Sequence, residues 1–275
     1  MPNNAGAPAC PRQGERSMSD WLHGLTVAWM AVVVFGATYL VTGLIYATVN
    51  LLAAGERARA FKAISPGLLS PLGVLFGLLV IFTAAGVWGD IDRANSAVNR
   101  EASALRSVVL LAASFPGEPE ERLRNLVRRY IDAAAAQEWP MMARHAASLT
   151  IAPEPLAEAL QFDLSLTPQS RGQETAQREI TTAIENALDA RRQRIIVSLA
   201  QVNWVKWSCL ILQGIGLLVA IAMMHSDNPR SSAIALGLFA TGVAVSVLLI
   251  ASHNRPFTGE ISVGPEPLLQ VRPAG

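Results

Sequence analysis

The chain of 275 residues has a formal net charge of +1 and is 51% hydrophobic but only 16% charged, whereas soluble proteins carry about a quarter charged residues. The near-zero net charge argues against a nucleic-acid-binding protein, which needs a basic surface. The apolar residues are also clustered along the chain, and this clustering indicates a membrane protein.

The first hairpin of membrane helices is predicted in residues 21–89, after a Pro/Gly-rich polar tail (1–20) that is typical of disorder. A helix needs about 20 apolar residues to cross a bilayer. Two windows meet this requirement, at 25–54 and 68–89. The first window contains no charged residue, and a short basic connector joins it to the second.

The middle region, 90–203, is mostly helical by pattern. Apolar positions continue at helical spacing beyond the second span, which predicts one long helix that ends near the sequence SFPGEPE. A second helix is expected at about 120–149, where Pro140 should kink or split it. A third is expected to begin near Gln173 and to run on into the third span.

The last membrane hairpin is predicted in residues 204–252, with spans at 204–224 and 233–251, followed by a tail at 253–275. Pro256 cannot continue a helix, Gly259 and Gly264 resemble turn residues, and the tail is expected to form short strand-like pieces. The fold class is therefore all-α: a four-span helical membrane protein with two span hairpins and a cytosolic helical bundle between spans 2 and 3. The positive-inside rule places this bundle and both termini in the cytosol, as in a multi-pass protein of the cytoplasmic membrane.

The motifs of common enzymes and cofactor sites are missing from the sequence. It has no nucleotide loop, zinc-type cysteine pair or nucleophile elbow, so we expect neither an enzyme nor a cofactor or metal site. Glu138 and His145 have a spacing that permits an acid–base pair, although a helix-surface histidine is far more common. Gln213 lies inside the third span, where a glutamine more often bonds a neighbouring helix than a substrate.

The second span carries two overlapping patterns. Gly73 and Gly77 form a Gly-x-x-x-Gly, which lets a neighbouring helix approach closely. Val74, Leu78 and Phe82 lie four residues apart and form an apolar stripe. Such a stripe usually faces lipid or other helices. In a symmetric oligomer it would instead form a hydrophobic constriction that gates by dewetting.

The beginning of the second span has the sequence of a helix N-terminus. Ser70 is suited to cap the helix and Pro71 to follow in its first turn. The free N–H groups and positive dipole end of such a helix favour an anion near this mouth.

Three segments of the chain form a recognisable set. The first is FGLLVIFTAAGVWGDIDRANSAVNREASALRS in and after span 2. The second is YIDAAAAQEWPMM, which contains Glu138, Trp139 and Pro140. The third is NRPFTGEISV after the last span, which contains the Arg-Pro-Phe-x-Gly element formed by Arg255, Pro256, Phe257 and Gly259. In this order the segments resemble the bestrophin-like membrane protein family, long labelled a domain of unknown function and distantly related to bestrophin anion channels.

The resemblance implies a pentamer whose second membrane helices line a narrow apolar neck and whose cytosolic helices enclose a vestibule. Val74, Leu78 and Phe82 would then form the neck, and Phe257 would anchor the tail in the bundle. The sequence departs from calcium-activated bestrophins in having only Glu260 and Glu266 after the Pro-Phe element, so a calcium clasp is not expected. It also lacks the arginine that bestrophins place near the inner end of the neck.

Several functions remain open at this point. The first is an oligomeric channel for chloride or other small anions in contact with membrane lipid. The alternative is a non-conducting scaffold or sensor whose cytosolic helices bind a partner. A small-molecule transporter is weaker because no polar site is visible at the membrane midplane. Arg191, Arg192 and Arg194 are typical of a solvated helix face or of lipid-headgroup contact, although they would attract anions if they lined a vestibule.

Overall fold

The computed structural model describes residues 25–52, 66–150 and 153–274. The predicted disordered tail at 1–20 and most of the first connector lie outside these ranges. The described residues form helices and turns without a strand, which confirms the all-α class. In chain order the helices are α1 (Val27–Leu52), α2 (Leu69–Ala112), α3 (Glu118–Ala133), α4 (Trp139–Ala143), α5 (Glu154–Ser165), α6 (Arg171–Ser198), α7 (Trp204–Met224), α8 (Pro229–Ser252) and α9 (Glu266–Val271).

The four helices α1, α2, α7 and α8 are long and apolar enough to cross a membrane, as the sequence predicts. Their apolar parts pack together, and we call them the span bundle (27–52, 69–89 and 204–252). Phe76 of α2 and Phe239 of α8 meet with ring centroids 6.0 Å apart. Gly214 of α7 lies beside both Phe76 and Val243, where three helices converge.

The long helix α2 confirms that the second span continues without a break beyond the apolar region. It has 44 residues, which corresponds to a length of about 66 Å. Its distal half packs mainly against α6, and apolar residues at helical spacing, such as Ala94, Val98, Leu105 and Val108, are fully buried there.

The second large unit of the fold is the distal bundle (90–198 and 253–274). It has one continuous apolar core, built from α2, α3, α6 and the C-terminal tail. The predicted second helix is divided, as Pro140 suggests, but by a π-helical turn, Ala134–Glu138. In that turn Trp139 donates its backbone N–H to the Ala134 carbonyl, which widens the helix ahead of the proline ring.

The prediction of a continuous helix from the middle region into the third span is wrong. Helix α6 ends at Ser198 and α7 begins at Trp204. The side chain of Asn203 caps α7 by accepting a hydrogen bond from the Lys206 N–H at 3.0 Å. Asn254 holds the linker by accepting the Val202 N–H at 2.7 Å.

The tail after the last span does not form the strand-like pieces that the sequence suggests. It makes turns and then the short helix α9. Gly259 has a positive φ of 91°, a conformation that glycine adopts without strain, so its prediction as a turn residue is confirmed. Gly264 lies in the same irregular segment without a positive φ.

Candidate functional site

The predicted neck stripe lies on the free face of α2. Val74, Leu78 and Phe82 are 59%, 44% and 73% exposed in the single chain. The face that packs within the span bundle carries other residues, namely Phe76, Thr83, Ala84 and Val87. At about 100° per residue, the mean directions of the two sets lie about 180° apart. The stripe therefore points directly away from the protomer.

The two glycines of the Gly-x-x-x-Gly pattern lie on a face of α2 that the protomer leaves open. A Cβ atom added at Gly73 or Gly77 would meet nothing within 4 Å. No helix in the described part of the chain uses these glycines for close approach, so the prediction of packing stands only for contact with a second copy. Within the protomer Gly214 has that packing role.

The proposed cap at the beginning of the second span is wrong in detail. A 3-10 turn, Pro66–Leu68, leads directly into α2, and Leu68 rather than Ser70 occupies the N-cap position. Leu68 makes no side-chain capping bond. Ser70 and Pro71 lie in the first turn of α2 and are exposed. An anion at this mouth stays a prediction that rests on the helix end itself.

The Glu138-Trp139-Pro140 element lies next to a group of buried charges that we call the ion cluster. The cluster consists of Glu101 of α2, Glu138 of the π turn, and Arg191 and Arg194 of α6. The Arg194 side chain is fully buried. It donates to both oxygens of Glu101 at 2.7 and 3.0 Å and to Glu138 at 2.8 Å. Arg191 donates to Glu138 at 2.8 Å.

The ion cluster corrects the interpretation of the arginines near the third span. Arg191 and Arg194 are buried and paired, and of the three only Arg192 is exposed as a solvated helix face would require. Two carboxylates face two guanidinium groups, so the charges are balanced. Such pairing is what makes buried ions tolerable, because an unpaired buried charge is very costly.

The pKa values follow from this pairing. Burial would raise the pKa of Glu138, but the hydrogen bond from Arg191 and the charge of Arg194 outweigh it, so the pKa lies below its usual value of 4.5. Burial, with the adjacent Glu101 adding to it, holds the pKa of Tyr130 well above 10. An acid–base role for Glu138 with His145 is opposed by this lowered pKa and by the two arginines on its carboxylate.

The indole of Trp139 connects the ion cluster to the C-terminal tail. Its ring lies under the Arg194 guanidinium, 4.3 Å from the ring centroid, a cation–π geometry. Its Nε1–H donates to the Val263 carbonyl at 3.0 Å. Phe257 contacts the same ring edge-on at 6.1 Å and is buried in the distal core. The prediction that Phe257 packs into the bundle is therefore confirmed.

The tail segment 254–263 joins the two bundles, and we call it the junction. Thr258 donates to the Ala143 carbonyl at the end of α4, at 2.8 Å. Glu260 accepts the backbone N–H of Val27 at the start of α1, at 3.1 Å. The Val263 N–H closes the segment on the Pro256 carbonyl at 2.8 Å. With Asn254 bonded to the linker before α7, the junction contacts both the span bundle and the distal bundle.

Sequence reasoning missed Glu101 and its partnership with Arg194. A signal was present, because Glu101 occupies a core position in the periodic series of α2, between Val98 and Leu105. An acidic residue at such a position needs a buried cation. Among the described residues no group of His, Cys, Asp and Glu side chains could hold a metal ion.

A comparison with protein families identifies the family of the chain. The model of the Bestrophin-like domain matches residues 36–268, a range that contains the exposed α2 stripe, the ion cluster and the junction. No curated protein and no solved structure shows a significant match to the chain.

Proposed function

Since the chain belongs to the bestrophin-like family and is an integral membrane protein with four apolar helices, we propose that it is an oligomeric anion channel. The oligomer is a pentamer by resemblance, and its cargo is chloride or another small anion. The α2 helices of the subunits surround the axis, and Val74, Leu78 and Phe82 form the neck. The middle region and both termini lie in the cytosol, and the protein has no enzymatic activity.

The observation that carries this proposal is the direction of the stripe. Three large apolar side chains lie on the one face of α2 that is opposite its contacts within the protomer. Around a symmetry axis, this arrangement would make three apolar rings, which form a barrier that opens by wetting. The open face at Gly73 and Gly77 would let neighbouring subunits approach closely.

Gln213 gives independent support for an oligomer. It lies in the middle of α7, is exposed in the protomer and makes no hydrogen bond with any residue that the structure describes. An unsatisfied amide facing hydrocarbon is costly. Contact with a neighbouring subunit would remove this cost.

The test has two stages. Native mass spectrometry of the protein in detergent gives the number of subunits, and a stable monomer or dimer would remove the central neck. Anion flux is then measured in liposomes for the wild type and for Phe82→Ala, which we expect to raise the flux because it removes the largest side chain of the three apolar rings and widens that ring. Leu238→Ala is the matched control, since Leu238 of α8 is equally exposed at 73% but lies on another helix.

The alternative function is a non-conducting scaffold or sensor. A cavity of about 550 Å³ beside the π turn favours it, because Arg129, Asp132, Glu138 and Arg191 line this cavity in the distal bundle. An intact oligomer without flux would select this alternative. Flux that Phe82→Ala leaves unchanged would place the pore elsewhere, and saturable uptake of a solute would indicate a transporter.

A further inference from the structure

The exposed face of α2 that carries Phe82 is apolar in the span bundle and becomes polar where the helix continues into the distal bundle. Phe82 and Arg100 are 18 residues apart, which is five helical turns, so their side chains leave α2 in the same direction about 27 Å apart. Ser96, Ser103 and Ser107 lie on this same face and are exposed. One continuous face therefore carries apolar side chains in the membrane and hydroxyl groups with a cation beyond it.

Arg100 is a cation on this face, and among the described residues it has no carboxylate partner within hydrogen-bonding distance. In the described ranges its contacts are the Ser96 carbonyl at 3.3 Å and the Gln193 amide oxygen. Arg93, the next cation toward the membrane, is paired with Asp90. The charge of Arg100 is thus available to a mobile ion.

A groove of about 530 Å³ runs between α2 and α6 beside Arg100, and Ser103, Ser107, Thr182, Asn186 and Asp189 line it. Within the described part of the chain the side chains of Ser103 and Asn186 form no hydrogen bond, so their O–H and N–H groups are free to donate. Ser107 and Thr182 instead donate to carbonyls of their own helices. One guanidinium with two free neutral donors suits a monovalent anion.

Asp189 opposes this attraction. It accepts a hydrogen bond from the Gln193 amide nitrogen at 2.9 Å, and the oxygen of the same amide accepts from Arg100. The Gln193 amide therefore bridges a cation and an anion beside the groove. Glu179 also lines the groove, and its carboxylate opposes the attraction in the same sense.

Resting on the proposed channel function, we infer that this groove is an anion-binding wall of the conduction path and that Arg100 and Asp189 set its charge selectivity in opposite senses. Arg100 raises the local anion concentration and Asp189 lowers it.

The experiment measures the reversal potential of the reconstituted full-length protein in asymmetric KCl, which gives the chloride-to-potassium permeability ratio. We expect Arg100→Gln to lower this ratio about threefold, as one partly screened charge should. Asp189→Asn should raise it, and Arg100→Lys should keep the wild-type value. Arg106→Gln is the matched control, because Arg106 is exposed on α2 but points about 120° away from Arg100.

Each outcome decides the inference. A lower ratio for Arg100→Gln, a higher one for Asp189→Asn and no change for Arg106→Gln support it. An unchanged ratio in Arg100→Gln, or an equal change in Arg106→Gln, overturns it and leaves the channel intact. A wild type that conducts no ions overturns the channel function and this inference together. Raising the salt concentration should shrink the effect, because the charge is exposed to screening.

Discussion

The threonine hydroxyls of the span bundle and the buried charges of the distal bundle find their partners in different ways. In the span bundle Thr38, Thr42 and Thr83 each donate to the carbonyl four residues earlier in the same helix. In the distal bundle Glu101 and Arg194 bond across elements that are distant in sequence. A hydroxyl that bonds its own helix imposes no partner on another helix, so these threonines leave helix packing to shape. Tyr39 and Thr241 add one hydrogen bond between α1 and α8 at 2.8 Å. The ion pairs of the distal bundle fix which helix lies beside which.

The two regions also differ in where their apolar side chains lie. In the distal bundle most large apolar residues of α2 and α3, such as Leu105, Leu123 and Ile131, are fully buried, and Leu110 is an exposed exception. In the span bundle many are exposed, as the bilayer allows. We therefore expect substitutions in the ion cluster to have large effects on stability and substitutions in the spans to have small ones.

The largest effect is expected for Arg194→Ala. It leaves Glu101 buried without a cation, and it leaves Glu138 with Arg191 as its one remaining arginine partner. The free energy of unfolding of the distal bundle should therefore fall by about 3–5 kcal/mol, the usual cost of breaking a buried ion pair. The thermal unfolding midpoint in detergent measures it. Arg192→Ala is the control, because Arg192 is exposed on the same turn; equal midpoints for both variants would show that the ion cluster does not stabilise the fold.

A smaller effect is expected for Trp139→Phe. This change keeps an aromatic ring beside Phe257 but removes the Nε1–H bond to Val263, at a cost of about 1 kcal/mol. Hydrogen exchange of the junction peptide should rise, especially at the Val263 N–H. Trp88→Phe is the control, since Trp88 is exposed on α2. Unchanged exchange in Trp139→Phe would mean that the indole does not hold the junction.

Acid should weaken the ion cluster through Glu138. Because its pKa is lowered in the fold, its contribution to stability is complete above pH 4.5 and is lost as the pH falls through the lowered value. Unfolding midpoints measured between neutral and acidic pH check this. Glu138→Gln should be less stable at neutral pH and should lose less on acidification. A parallel acid profile in wild type and variant would contradict the assignment.

The smallest effect is expected in the span bundle, for Gln213→Leu. Hydrogen bonds between membrane helices contribute about 0.6 kcal/mol on average, so the oligomer should dissociate at slightly milder detergent conditions while the protomer stays folded. Native mass spectrometry measures the fraction of oligomer. Leu212→Ala, next to it and also exposed, is the control. A large loss of folded protomer in Gln213→Leu would contradict the expectation that substitutions in the span bundle have small effects on stability.

The sequence predicts the elements of this fold better than their connections. Apolar length alone locates the four spans, and helical periodicity carries α2 past Gly89 into the distal bundle. The break before α7 was not predicted, because it depends on Asn254, which lies 52 residues away in sequence from the Val202 N–H that it binds. The Ser70 cap was predicted from Ser70 and Pro71 alone. The helix begins earlier because a 3-10 turn, Pro66–Leu68, precedes these two residues and leads directly into α2.

The candidate sites show the same limit. The neck stripe follows from spacing within one helix, so its exposure could be anticipated. The burial of Arg191 and Arg194 could not, because charge spacing on α6 is equally consistent with a solvated face. A buried face and a solvated face can be distinguished only from the tertiary structure, in which α6 packs against Glu101 and the π turn. Arg100 was not singled out for the same reason, since its role depends on Asn186 and Asp189 across the groove.

The unbroken course of α2 gives it the mechanics of a lever. The ion cluster grips this rod at Glu101, which makes that residue a natural fulcrum. Glu101 and Phe82 are 19 residues apart, or about 28 Å at 1.5 Å per residue. A tilt of about 5° around this fulcrum would move Phe82 by about 2.5 Å. In the proposed ring of subunits, a radial displacement of this size would change the radius of the neck by the same amount, so a small repacking of the distal bundle would be amplified inside the membrane.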